Sequence, residues 1–406
     1  LNPAFVAGRP PILAAAKARP AHFPVMSETR SRPLSADEKL AWLRLIRTEN
    51  VGPITFYRLL DHFGAATAAL AALPEIAQRG GLGKAIKVCS KAAASREMEA
   101  LAAISAKLIA RDEPDYPPLL AHVEDAPPLI SFKGQVHLLR KKAIAVVGAR
   151  NASVNGRNFA RRIAAALGDG GFVVVSGMAR GIDSCAHEGA LATGTVAVVA
   201  GGIDIVYPKE NAGLYTEITE RGALISEIEP GTKPLARHFP RRNRLISGLS
   251  SGVVVVEASP RSGSLITARM ALEQGREVFA VPGSPLDPRS RGSNDLIHQG
   301  AILCESAEDV FRVTNETRHP PLGEGQSLEL TAPCATPPSQ KEIDSGRSTI
   351  DESLDSAPVM VDELIRDCQL SPAVVSLVLL EMELAGRLER HPGNRVSRLP
   401  PPISRD

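Results

Sequence analysis

The chain has 406 residues, 44% apolar and 23% charged, with 47 Lys and Arg against 45 Asp and Glu for a formal net charge of +2. That length holds two or three domains, each with its own core, and the composition is that of a soluble globular protein. No uninterrupted run of about eighteen apolar residues exists, which argues against a membrane span. Cys89, Cys185, Cys304, Cys334 and Cys368 are odd in number and never spaced Cys-x-x-Cys, which argues against a disulfide framework and a zinc site and points to a reduced cytoplasm.

Residues 1–33 mix Pro, Ala and scattered basic residues without the compact apolar block of a secretory signal. They read as a disordered or non-native leader, with Met26 as the expected biological start. Residues 34–112 read as a helical domain. Ser35-Ala36-Asp37-Glu38 has the spacing of a capping box, and Leu40, Leu43, Leu45 and Ile46 follow at roughly helical intervals. Val51-Gly52-Pro53 breaks that helix before another over 54–63, and Gly80-Gly81-Leu82-Gly83 makes a further break. Two helix-Gly-helix units resemble the helix-hairpin-helix elements of SAM-like domains, whose glycine turns can touch DNA phosphates; a plain helix stop accounts for the same glycines. Residues 92–111 read as one long helix, ended by Tyr116-Pro117-Pro118.

Over 113–312 the period changes. Short, continuously apolar runs at 143–147, 172–175, 195–199, 223–225, 253–256 and 278–281 alternate with helical stretches such as 159–167 and 265–274. Strands apolar on both faces belong to a buried parallel sheet, so the fold class is α/β, doubly wound and mainly parallel. Ligands of such sheets bind beyond the carboxyl ends of the strands. Residues 313–357 are rich in Pro, Ser, Glu and Thr and read as a flexible linker. Over 358–398 a helix at 361–367, a second opened by Ser371-Pro372 and stopped by Gly386, and two short strands around 391–394 make a winged-helix-like module; 399–406 is a tail.

The strand ends of the central block carry chemistry. Gly148-Ala149-Arg150, Ser176-Gly177 through Gly181, Gly201-Gly202, Ser262-Gly263-Ser264 and Pro282-Gly283 can present backbone N–H groups to anions, although each alone also makes an ordinary tight turn. Between positions 233 and 244 there are five Lys or Arg and no acid. Arg150, Arg180, Lys209, Arg237, Arg241, Arg242, Arg244 and Arg261 flank the loops, with Phe239 and Tyr207 among them. Cations neutralise phosphates and aromatic faces hold unstacked bases. Arg150, Arg241 and Arg242 are expected on phosphate, and Arg244 on Glu227 or Glu257.

The first turn lacks Gly-x-Gly-x-x-Gly, the second strand ends without a ribose-binding acid, and no Gly-x-x-x-x-Gly-Lys-Ser/Thr occurs, which weighs against NAD binding and ATP hydrolysis. Asp183 and His187 read as a helix-start pair rather than part of a triad. No cofactor, metal or catalytic residue is expected. The alternative is a nucleotide or nucleoside-phosphate hydrolase with Glu257 as acid/base.

Val146-Val147-Gly148-Ala149-Arg150, Ser176-Gly177-Met178-Ala179-Arg180-Gly181-Ile182-Asp183, Tyr207-Pro208, Ser226-Glu227, Phe239-Pro240-Arg241-Arg242-Asn243-Arg244, Ser262-Gly263-Ser264 and Val281-Pro282-Gly283 occur in one order. Together they closely resemble the DNA-processing protein A family (DprA/Smf). The resemblance implies an extended Rossmann-like sheet, homodimers, and a single-stranded DNA-binding protein of natural transformation that shields incoming DNA and helps load RecA recombinase. It implies a DNA-binding set of Gly148, Ala149, Arg150, Ser176, Gly177, Arg180, Lys209, Arg237, Phe239, Arg241, Arg242, Asn243, Gly263 and Ser264. The family's phosphate-binding Gly-Ser-Arg is Gly148-Ala149-Arg150 here, without the serine hydroxyl, and Phe239 falls where the family stacks a base. Ala236 stands where a lysine is common, leaving Arg237 or Lys209 as substitutes. The second helix of the winged module has no Lys or Arg, whereas DNA-reading helices usually need them, so a protein-contact or autoregulatory role stands beside a DNA role.

Overall fold

The computed structural model describes residues 32–81, 86–316, 339–391 and 393–399. Expectations for residues 1–31, for Leu82 and Gly83, and for 400–406 lie outside these. The described chain divides into two compact units, one holding 97–316 with 32–34, the other 35–96 with 339–399.

In the first unit β1 (Lys107–Ala110), α5 (Pro118–Ala121) and β2 (Leu129–Gly134) precede an alternating series. It runs β3 (Ala143–Val147), α6 (Val154–Asp169), β4 (Val173–Ser176), α7 (Ile182–Ala190), β5 (Thr195–Val198), α8 (Ala212–Arg221), β6 (Ala223–Ser226), α9 (His238–Gly248), β7 (Gly252–Val255), α10 (Ser264–Glu273), β8 (Glu277–Ala280), α11 (Arg291–His298), β9 (Ile302–Leu303) and α12 (Ala307–Glu316). The described strands form one sheet in the order β1-β2-β6-β5-β4-β3-β7-β8-β9, parallel from β6 to β9. β1 and β2 add antiparallel strands at one edge.

The apolar runs are continuous because alternate residues enter different layers. Ala143, Ala145, Val147, Val173, Val175, Val253 and Val255 pack with Leu245, Ile246 and Leu249 of the α9 segment and Ala268 and Ala271 of α10. Ile144, Val146, Val174 and Val254 pack with Ala160, Ile163 and Leu167 of α6, Ile182, Cys185 and Ala186 of α7, and Val310 of α12. A strand between two helical layers has no face for polar residues.

The second unit contains α1 (Ala36–Ile46), α2 (Pro53–Phe63), α3 (Ala66–Arg79) and the start of α4 (Lys91–Ala103), then α13 (Gln340–Ser353), β10 (Val359–Met360), α14 (Val361–Cys368), α15 (Pro372–Leu384), β11 (Leu388–His391) and β12 (Arg395–Arg398). The Ser35–Glu38 capping box is formed, with Glu38 N donating to Ser35 Oγ at 3.2 Å and Ser35 N to the Glu38 carboxylate at 2.9 Å. The carboxy-terminal module is a winged helix with sheet order β10-β12-β11.

Three expectations are corrected. The helix over 92–111 stops at Ala103: Ser105 is left-handed (φ 58°), and Lys107–Ala110 pairs with β2, so strand partnership overrides local helix preference. The sheet domain therefore begins by Lys107, not at 113. The linker over 313–357 contains two helices among its described residues, the end of α12 and all of α13. α13 opens with its own capping box, Ser339 and Glu342, and buries Ile343 and Ile350 in the winged-helix core.

Candidate nucleic-acid interface

Strand order determines where a ligand can enter. From β3 the chain builds β4, β5 and β6 on one side, then crosses to the other flank for β7, β8 and β9. Loops leaving the carboxyl ends of β3 and β7 diverge, and the gap between them is the binding crevice of doubly wound sheets. Here it is a cleft of about 610 Å³ lined by Gly148, Ala149 and Arg150 after β3, Phe239, Arg242 and Asn243 of α9, and the 261–264 loop before α10.

Gly148 is fixed by crowding: a Cβ there would lie 2.7 Å from Ile182 Cγ1 and 3.0 Å from the Glu257 carbonyl. Ala149 O accepts from Ile182 N at 3.2 Å, tying the turn to the start of α7. Beyond it Arg150 is exposed, and its guanidinium carbon lies 4.9 Å from the centroid of the Phe239 ring. Phe239, half-buried in the first turn of α9, also faces Tyr207 with ring centroids 5.8 Å apart. It is the wall between the cleft and a smaller apolar recess containing Val199, Ile205, Tyr207 and Pro234. A cation and a half-buried aromatic ring thus share one mouth.

Several predicted phosphate ligands are struts instead. Arg242 is buried, donating through Nη1 to Val198 O at 2.7 Å and to Gly177 O, and through Nε to Asn243 Oδ1 at 3.2 Å. Burial pulls its pKa down to about 10, with neighbouring Asp183 opposing the shift and Arg150 adding to it. It lines the cleft, but its bonded nitrogens face the protein, so its contribution there is a positive field. Ser176 is wholly buried with Oγ donating to Val146 O at 2.7 Å, and the N–H groups of Gly177 and Ala179 point to Asp183 Oδ2 at 3.2 and 3.4 Å. The turn after β4 is therefore filled by Asp183 rather than open to an anion. Asn243 Nδ2 donates to Gly263 O at 3.3 Å, holding the 262–264 loop against α9.

Arg244 forms the expected internal pair, its Nη2 lying 2.6 Å from both Glu227 oxygens. Arg241 is exposed with Nη2 3.8 Å from the same carboxylate, which leaves its guanidinium accessible. Arg180, Lys209 and Arg237 are exposed but do not line the cleft; Arg180 lies 3.9 Å from Glu210. Gly263 is exposed at the cleft, and Ser264 is buried with Oγ 2.7 Å from Ser262 Oγ.

Asp183 and His187 do not pair with each other. His187 Nδ1 lies 2.7 Å from Thr195 Oγ1, which itself donates to Val174 O, so the imidazole is the donor and Nδ1 holds the proton. Burial, with Arg242 nearby, lowers its pKa to about 3. Glu257 accepts from Ser153 N at 2.9 Å and Ser153 Oγ at 2.5 Å, bracing the start of α6. Both its oxygens accept from Ser153, and Glu257 is not among the residues lining the cleft. Sequence reasoning left Asn151 and Arg289 out of the cleft, which both line. Arg289 follows β8, whose carboxyl end shares an edge with β7; its guanidinium pairs with Asp287 at 2.8 Å.

Residues 107–315 match the family model for DNA recombination-mediator protein A. Residues 36–100 match a DprA-like N-terminal HHH domain, and 335–394 a DprA winged helix domain. The chain is 30% identical to protein Smf of Synechocystis over 90% of its own length and all of that protein, and 40% identical to protein Smf of Escherichia coli over 71% and 76%. It is 47% identical to the DNA processing protein DprA of Streptococcus pneumoniae over 48% of this chain and 70% of that one. The X-ray structure of DprA from Streptococcus pneumoniae superposes with a TM-score of 0.58 at 34% identity, covering 69% of this chain and 98% of that chain. A family model over half the sequence and a relative aligned end to end establish that the chain belongs to the DNA recombination-mediator protein A family, the Smf/DprA proteins.

Proposed function

We propose that the β3/β7 cleft binds single-stranded DNA. The carrying observation is the placement of Arg150 over Phe239 at the cleft mouth. A phosphate seated at the Gly148–Arg150 turn would meet a cation, and its base would reach an aromatic edge a few ångströms away. Duplex DNA keeps its bases stacked inside and cannot use the ring, so single strands are favoured. Arg261 and Arg289 line the same cleft, and Arg241 is exposed on α9 beside Phe239 and Arg242. Lys209 and Arg237 are exposed outside the cleft and would contact the strand beyond it.

On this reading the protein acts in natural transformation. It coats incoming single strands as a homodimer that carries two clefts, and it hands them to RecA recombinase in the cytoplasm. Labelled oligothymidine and a duplex of equal length, titrated by fluorescence anisotropy with RecA added second, test it. Preferential single-strand binding and faster RecA filament growth on protein-bound DNA are expected. Equal affinity for the two forms contradicts the single-strand assignment, and unchanged filament growth contradicts the loading role.

A further inference from the structure

The winged-helix module has a second helix whose carboxy-terminal half is closed to DNA and whose exposed amino-terminal turn, Ser371 to Ala373 with Ser376, carries no cation. In α15, every residue from Val378 to Ala385 is buried except Glu383, which is half-buried. Val374, Val375, Val378, Leu379 and Met382 face the module's own core. Leu380 and Leu384 lie off that core and are buried all the same, because α15 packs against α3 and α2 of the helical domain. From Val378 onward the helix is covered on all sides and serves as an internal strut.

Polar contacts fix the register. Thr55 Oγ1, at the start of α2 and wholly buried, donates to Glu383 Oε1 at 2.6 Å. Asn50 Nδ2 donates to Leu384 O at 3.0 Å and so caps the last turn of α15. Gly80 is pressed against the same helix: a Cβ there would stand 2.0 Å from Glu381 O. The neighbouring glycine, Gly81, abuts the Arg387 guanidinium. Four of the module's arginines are also committed to internal acids, Arg347 to Glu381, Arg387 and Arg398 to Asp351, and Arg390 to Glu383.

We propose that α15 is a protein-docking helix whose partner is the α2–α3 face of the same chain, and that this winged helix clamps the two ends of the chain together instead of reading DNA. The proposal rests on the second unit alone and stands whether or not the cleft binds single strands.

The test uses the full chain with a specific protease site inserted between Gly325 and Gln326, cut after purification. The carboxy-terminal fragment should stay with the amino-terminal fragment through size exclusion, and its release should be measurable by dilution. Gly80→Val should release it, and the paired change Asn50→Gly with Thr55→Val, which preserves shape and the left-handed turn, should weaken retention roughly tenfold or more. The paired variant carries the test if Gly80→Val does not fold. Released fragment should leave a short mixed-sequence duplex unshifted in a gel. Separation of the fragments in the unmutated chain, retention unaffected by the variants, or a duplex shifted by the released fragment would each overturn the proposal.

Discussion

Arg150 and Phe239 are 89 positions apart in sequence, yet the guanidinium of the first sits 4.9 Å from the ring centroid of the second. The contact exists because β3 and the helix before β7 meet at the point where the sheet reverses its direction of growth. On the proposed reading each residue has a separate job: the exposed cation would set the electrostatic part of binding and the ring the stacking part.

Phe239→Ala should therefore weaken oligothymidine binding by about 1–3 kcal/mol, roughly five- to 150-fold, while leaving the salt dependence unchanged. Phe239→Trp should retain most of the affinity. Anisotropy titrations at several salt concentrations separate the two quantities, and a change in salt slope for Phe239→Ala would argue against a stacking role.

Arg242→Met should act on stability first. Losing the guanidinium strands the buried carbonyl of Val198 and the carboxylate of Asp183, which costs roughly 3 kcal/mol. Urea unfolding should show the loss in the absence of any DNA. A variant with unchanged stability and lost DNA binding would return Arg242 to the phosphate-contacting set.

Gly148→Ala forces a methyl to within 2.7 Å of Ile182 Cγ1 and 3.0 Å of the Glu257 carbonyl. Overpacking of this kind costs about 1–3 kcal/mol. Thermal unfolding should shift down and single-strand affinity should fall with it, since the turn that carries Arg150 must move.

His187 makes stability depend on pH. Its pKa is lowered to about 3 in the folded protein by burial and by Arg242, against about 6.5 in an unfolded chain. Between those values the unfolded state binds the extra proton, so the contribution is fully present above about pH 6.5 and is lost as pH falls toward 3. Over the whole window it amounts to on the order of 5 kcal/mol. Urea midpoints measured from pH 7 to 4.5 should fall more steeply for the native chain than for His187→Asn; parallel curves would contradict the assignment.

Much of this was readable from sequence, for physical reasons that also explain the misses. The parallel strands declared themselves because burial on both faces leaves no room for polar residues, as in residues 143–147. The strand at 107–110 did not, because it borrows its conformation from β2, and a short apolar run after a helix looks like more helix. Helix α13 was hidden in polar composition, although Ser339, Glu342, Ile343 and Ile350 carried a capping box and a seven-residue apolar repeat. Glycine-rich loops and basic residues pointed to Gly148–Arg150 and Phe239, and these residues line one cleft. Sequence cannot distinguish an arginine facing solvent from one facing a carbonyl: Arg241 and Arg242 are adjacent, and helix geometry turns one outward and the other into the sheet.

The most direct measurement is the salt dependence of oligothymidine binding by the native chain and by Arg150→Ala. If Arg150 neutralises one phosphate, the magnitude of the log-affinity slope against log salt should drop by about 0.7, with weaker binding at low salt and little change in stability. An unchanged slope and an unchanged affinity would contradict the cleft as the DNA site.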